Sequence, residues 1–232
     1  MQQGAVYEWP DHAERYRWRT LNEGDCLEVL AANDEILATV YRDSAALMGD
    51  TFRVEHPVVI AEHQAGLATL STTHVSLMEP WDTMLVHWKG GGSLDYVRSS
   101  AATERIARNE VLDFGGNPEW NHEAILMASF RAFCIYPFGN PLEGVTWAND
   151  LPVVPILEYD EPSPLGRAEW MKALAWLVSD SALEDANRVF DGVAARYEYA
   201  RAQGLPREDS LVVLTGSVEQ GLWSAPNSRS FV

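Results

Sequence analysis

Little in this 232-residue chain is positively charged: 17 Lys and Arg stand against 34 Asp and Glu, a formal net charge of -17 at pH 7. A field of that sign repels phosphate backbones, which excludes nucleic acid as a partner. Cysteine is scarce too. Cys26 and Cys134 sit in no C-x-x-C pair and beside no histidine at ligand spacing, so no zinc motif is present and no resident metal or cofactor is expected. Cys134, inside FRAFCIYPF, has the surroundings of a small core hydrophobe. The spacing leaves a disulfide open. No run approaches the roughly 20 apolar residues a membrane helix needs. The start, MQQGAVYEWPDH, has neither an apolar signal core nor a lipid-attachment cysteine, so export would require a signal not seen in these residues. The G-x-S-x-G and H-E-x-x-H patterns of hydrolases are missing as well. Gly90-Gly91-Gly92 lacks the spacing of a phosphate loop and reads as a flexible turn.

What is present argues for a folded α/β protein. Hydrophobic residues make up 47% of the chain, enough for one or two cores, and no low-complexity tract interrupts them. In residues 1–62 the bursts CLEVLAA, EILATVY and RVEHPVVIAEH read as strands of a β-hairpin or small meander. From Gly66 the grammar changes. GLATL, MLVHW, VLDFGG, AFCIYPF and LPVVPIL are short and apolar nearly throughout, and helix-like segments separate them. Strands covered on both faces and joined by crossovers imply a parallel sheet, here an N-terminal α/β lobe over 63–180.

Ser163 followed by Pro164 predicts a helix start, continuing through RAEWMKALAWLV. Ser181-Ala182-Leu183-Glu184 has the form of a capping box and predicts a restart. The apolar spacing of Leu183, Ala186, Phe190, Val193, Ala194 and Tyr197 carries a long helix over 181–204, about 30 Å for twenty residues. LVVLTG then predicts another parallel strand, so residues 205–232 read as the start of a second α/β lobe that the chain does not complete.

LATLSTTHVSLMEPW, VLDFGGNPEWNHEAIL, LPVVPILEYDEPSPLGRAEWMKALAWL and LVVLTGSVEQGLWSAPNSRSFV together resemble the ABC-transporter substrate-binding proteins of the iron–siderophore, haem and cobalamin type. The resemblance runs from about Leu67 to Val232. It is most specific in PSPLGRAEW, which resembles a lipoprotein subgroup. It implies two lobes joined by one backbone helix, a ligand held between them, and delivery to a membrane permease from the periplasm or a lipid anchor. It also implies a monomer with no catalytic residues. Two places depart from the family pattern: Ser129-Phe130-Arg131-Ala132 replaces a Lys-Pro-Asp-like turn, and Ala225-Pro226-Asn227-Ser228 lacks the family's two glycines.

The candidate ligand contacts follow. Ser71, Thr72, Thr73 and His74 come after the first parallel strand, whose carboxyl end faces the ligand crevice in open α/β sheets. Their hydroxyls and nearby N–H groups could hold an acidic or carbonyl group; alternatively Ser71 or Thr72 caps a helix and His74 packs. For a haem ligand, His74 would be the iron ligand. Trp223 holds the matching position of the second lobe and offers a flat apolar wall. Arg229 could pair with a carboxylate, and Trp88 is a further crevice candidate. Glu123, opening the helix in NHEAIL, matches a family glutamate that docks on permease arginines; the alternative is a first-turn acid favoured by the helix dipole. Arg167 and Glu169 read as fixing a long helix against neighbouring loops. The rival functions are a truncated interaction or signalling protein on the same lobe and, with only two dispersed cysteines, a metal-cluster enzyme component.

Overall fold

A computed structural model describes residues 6–21, 24–50, 55, 57–60, 66–116, 119–136, 151–204, 216–219 and 221–224. The chain is mixed α/β, as the strand grammar predicts. It divides into two compact units, Met1–Phe190 and Asp191–Val232.

The first sheet is a meander of β1 (Val6–Glu8), β2 (Tyr16–Leu21), β3 (Gly24–Leu30) and β4 (Ile36–Tyr41), joined by β5 (Pro57–Val59). Its order is β1-β2-β3-β4-β5, antiparallel until β5, which pairs parallel with β4. β1 and β2 lie outside the bursts that the sequence marks. The period-two rule sorts β2 to β4 into two faces. Tyr16, Leu27, Val29, Ala38 and Val40 enter the main core. Arg17, Arg19, Glu28 and Tyr41 point the other way. There Arg19 forks onto Asp50 at 3.0 and 2.6 Å and also meets Glu28 at 2.6 Å, while the Tyr41 hydroxyl donates to Asp50 at 2.7 Å. α1 (Ser44–Gly49) lies beside this face. Burial alone would lower the Arg19 guanidinium; its bonds to Asp50 and Glu28 outweigh that and raise it.

The second sheet is wholly parallel. Its strands are β6 (Leu67–Thr69), β7 (Trp88–Gly91), β8 (Leu112–Asp113), β11 (Ala132–Ile135) and β12 (Val153–Pro155), in the order β12-β11-β6-β7-β8. Between β8 and β11 come a small hairpin, β9 (Gly115–Gly116) with β10 (Glu119–Trp120), and a helix, α5 (His122–Met127). α2 (Thr72–Met78) and α3 (Asp82–Leu85) lie between β6 and β7, and α4 (Ser100–Ala107) between β7 and β8. Both faces of β11 are buried: Ala132 and Cys134 enter the main core, whereas Phe133 and Ile135 join Ala68, Phe114, Ile125 and Phe130 in a second one. This explains why these strands read as unbroken apolar bursts. The Cys134 thiol is pushed well up by that burial.

α6 (Pro164–Val178) starts where Ser163 and Pro164 predict, with the Ser163 hydroxyl accepting from the Gly166 N–H at 2.9 Å. Leu165, Trp170, Leu174 and Leu177 are all buried along it. Two acids anchor the N-terminal segment to this helix. Glu169 accepts from the backbone N–H groups of Asp11, His12 and Ala13 at 3.1, 2.7 and 2.9 Å. Glu161 accepts from those of Glu14 and Arg15 at 2.8 and 3.0 Å and from the Trp170 indole at 2.8 Å. The expected boundary at 62/63 therefore falls inside one compact unit, because meander and parallel sheet share a core.

Three expectations need correction. The strand expected at MLVHW starts later: α3 takes up Met84 and Leu85, and β7 runs Trp88–Gly91. Gly90, Gly91 and Gly92 are accordingly a packed strand end rather than a flexible turn. A Cβ on Gly90 would lie 2.3 Å from Phe114, and one on Gly92 would lie 2.2 Å from Trp120. The restart after α6 is capped one turn-start earlier than expected: Ser179, not Ser181, receives the Ala182 N–H at 3.1 Å.

α7 (Asp180–Ala202) spans nearly the predicted 181–204 and runs into the second unit. The LVVLTG strand, residues 211–216, lies outside the described residues except for Gly216. The described remainder is an antiparallel hairpin, β13 (Ser217–Glu219) with β14 (Leu222–Ser224), turning at Gly221, whose φ of 79° suits glycine. Among the described residues no helix is long and apolar enough to cross a membrane.

Replacing Glu169 by Gln puts an NH₂ among four donors, three backbone N–H groups and the Lys172 ammonium. It should cost about 3 kcal/mol of unfolding free energy in a urea titration. Gly90→Ala should cost about 1–3 kcal/mol through overpacking against Phe114.

Candidate functional site

The strand order reverses at β6: the chain runs outward through β7 to β8, then returns to the other side of β6 for β11 and β12. Open α/β sheets carry their crevices beyond the carboxyl ends at such a reversal. The turn after β6 is Ser71–His74. Ser71 is the N-cap of α2, its hydroxyl accepting from the Thr73 N–H at 3.3 Å. The Ser71 and Thr73 hydroxyls lie 2.7 Å apart, and the Thr73 hydroxyl donates to Glu158 at 2.5 Å.

Glu158 follows β12 in a single 3-10 turn, Glu158–Asp160, and is buried. Its second carboxylate oxygen lies 3.4 Å from Nε2 of His74, which is 0% exposed. The two are at ion-pair distance, although neither ring nitrogen of His74 meets hydrogen-bond geometry. Burial pushes the Glu158 carboxyl up; His74 and the Thr73 hydroxyl outweigh it and hold the group below the ordinary glutamate range. His74 therefore braces a buried acid and presents no nitrogen to a ligand, which removes it as a haem iron ligand.

Beside the turn lies a cleft of about 180 Å³, between α2 and the loop that follows β7. Thr72, Thr73, Ser76 and Glu79 line it from α2; Tyr96, Val97, Arg98 and Ser99 line it from the loop. The Arg98 guanidinium is held by the carbonyls of Asp95 and Val97. Ser99 caps α4 by accepting from the Ala102 N–H at 3.2 Å. Glu158, Glu79, Tyr96 and Arg98 are not among the residues that the sequence pattern singles out. An acid immediately after an apolar strand, as in PILEYD, was the available signal for Glu158.

The other candidates fall elsewhere. Trp88 is 0% exposed and opens β7 instead of ending the strand, so it is a core residue at the amino end, away from the crevice. Trp223 belongs to the second unit, where it lies in a hairpin strand opposite Val218 and is 49% exposed. Arg229 lies outside the described residues. Glu123 is exposed in the first turn of α5, behind the cap made by Asn121. Glu169 is bound to the N-terminal segment, and Arg167 donates to the Tyr159 carbonyl at 2.9 Å. Among the described residues no cluster of three His, Cys, Asp or Glu could hold a metal. No family model, curated protein or solved structure matches the chain.

A carboxyl lowered on folding stabilises fully above its unfolded value, near 4.5 for glutamate, and that contribution is lost as pH falls through the folded value. Glu161 is raised by burial and acts in the opposite sense, so a single-site comparison is needed. Wild type should lose stability more steeply than Glu158→Gln as pH drops below about 4.5. Urea midpoints across that range check this, and parallel curves would refute it.

Proposed function

We propose that the chain is the extracytoplasmic binding component of an ABC importer, which captures an iron chelate and hands it to a membrane permease without covalent chemistry. The observation that carries this reading is the hydroxyl-bearing turn Ser71–Thr73, placed where the parallel sheet reverses its order and bordered by a polar cleft.

The cleft narrows the choice among siderophore, haem and cobalamin. Pockets that enclose drug-sized ligands run to about 300–1,000 Å³. At about 180 Å³ this one accommodates one polar end of a ligand. Its lining of hydroxyls, Glu79 and Arg98 suits the oxygen- and nitrogen-rich rim of a siderophore better than the face of a tetrapyrrole. The burial of His74 also favours the siderophore over haem. Exposed Glu123 is then available to an arginine on the permease, as the sequence resemblance implies.

Adding ferric siderophores should quench the tryptophan fluorescence saturably, and Arg98→Ala should weaken the preferred chelate about tenfold. Silence towards ferric hydroxamates, catecholates and carboxylates, with haemin and cobalamin equally silent, would reject the importer reading.

A further inference from the structure

The protons of the turn decide what it can recognise. An ionised carboxylate only accepts, so the Thr73 hydroxyl spends its single proton on Glu158. The 2.7 Å contact between Ser71 and Thr73 then has one possible direction: Ser71 donates and Thr73 accepts. Both protons run inward along Ser71, Thr73 and Glu158. What the two hydroxyls retain is lone pairs. These two cannot donate to a ligand acid or carbonyl group, so within the turn that part of the sequence expectation rests on Thr72 and the backbone N–H groups. Among the described residues the Glu158 carboxylate faces the buried His74 ring at 3.4 Å and accepts the Thr73 hydroxyl at 2.5 Å.

We propose that the α2 side of the cleft recognises a hydrogen-bond donor on the ligand, an ammonium group above all. Glu79 lines the same cleft and supplies negative charge there. Arg98 lines the cleft from the loop side and fits an oxygen-rich part of the same molecule. The ligand class is a small zwitterion or a chelate with a zwitterionic end. Glu158 is a positioning residue: it touches no ligand and acts by fixing the direction of the Ser71–Thr73 hydrogen bond.

For the chelate this deepens the importer reading and rests on it. The test compares a linear ferric tris-hydroxamate bearing a terminal ammonium with its N-acetylated form, by fluorescence titration of the full chain. Wild type should bind the ammonium form at least about tenfold more tightly. Glu158→Gln can donate to Thr73 and release the relay, so the preference should collapse. Thr73 is exposed, so Thr73→Val changes little apolar packing and should abolish it as well, while Thr73→Ser should retain it. Equal binding of the two chelates by wild type, or an unchanged preference in Glu158→Gln and Thr73→Val, overturns the inference but leaves the importer reading standing. If no chelate binds, the importer reading fails alone, because the relay is tested without iron: ethylammonium should shift the amide resonances of Thr73 and Glu79 in wild type and not in Thr73→Val. No shift in wild type overturns the inference.

Discussion

Two buried carboxylates hold this fold together. Glu161 and Glu169 between them take up five consecutive backbone N–H groups, residues 11–15, from a segment more than 140 positions away. Those N–H groups belong to an irregular stretch just before β2 and have no sheet partner of their own. Buried and unpaired, they would each cost about 1–3 kcal/mol. The same acids reach into α6 through the Trp170 indole and the Lys172 ammonium, the latter 2.7 Å from Glu169. The pair thus joins the meander to the helix that backs the parallel sheet. It also shows how finely burial is balanced. Lys172 and the backbone donors overcome desolvation at Glu169 and lower it, while Glu161, without a lysine in contact, is raised.

The second device is the ion network on the far face of the meander. Arg19, Glu28 and Asp50 are nearly inaccessible, and each charge meets an opposite charge with a hydrogen bond. Arg17 closes on the outer oxygen of Glu28 at 2.8 Å. Removing any one partner strands a buried charge, which costs several kcal/mol, whereas the intact network contributes much less than its contacts suggest. Its clearest effect is on register. A one-residue slip of β2 against β3 would move Arg19 into the apolar face and Trp18 into the polar one.

The cleft depends indirectly on the first of these devices. β12 must lie at the edge of the parallel sheet for Glu158 to reach back to α2, and the acid at 161 that holds the N-terminal segment is only three residues further on. Site and scaffold therefore share the short stretch between β12 and α6. A perturbation at Glu161 should be felt at Thr73 through that stretch.

Much of the architecture was legible in local pattern. Unbroken apolar bursts marked β6, β11 and β12, since strands covered on both faces need no polar alternation. Ser163-Pro164 marked the start of α6, because the cap and the fixed φ of proline act within one turn. The same local logic offered Ser71 or Thr72 as a cap, and Ser71 is the one used. It failed at Gly90-Gly91-Gly92, where composition says turn and the rings of Phe114 and Trp120 demand bare backbone in a strand end. It failed for Trp88 and His74, whose residue types suggest ligand contact but whose neighbours bury them. What the sequence alone determined is the order and kind of most elements, though not of β1, β2 or the β9–β10 hairpin, through interactions spanning a few residues. Only the tertiary structure decided that Glu158 meets Thr73 across 85 positions, that Glu169 meets Ala13 across 156, and which way the protons point between them. Those contacts are set by strand order and packing, which no local spacing encodes.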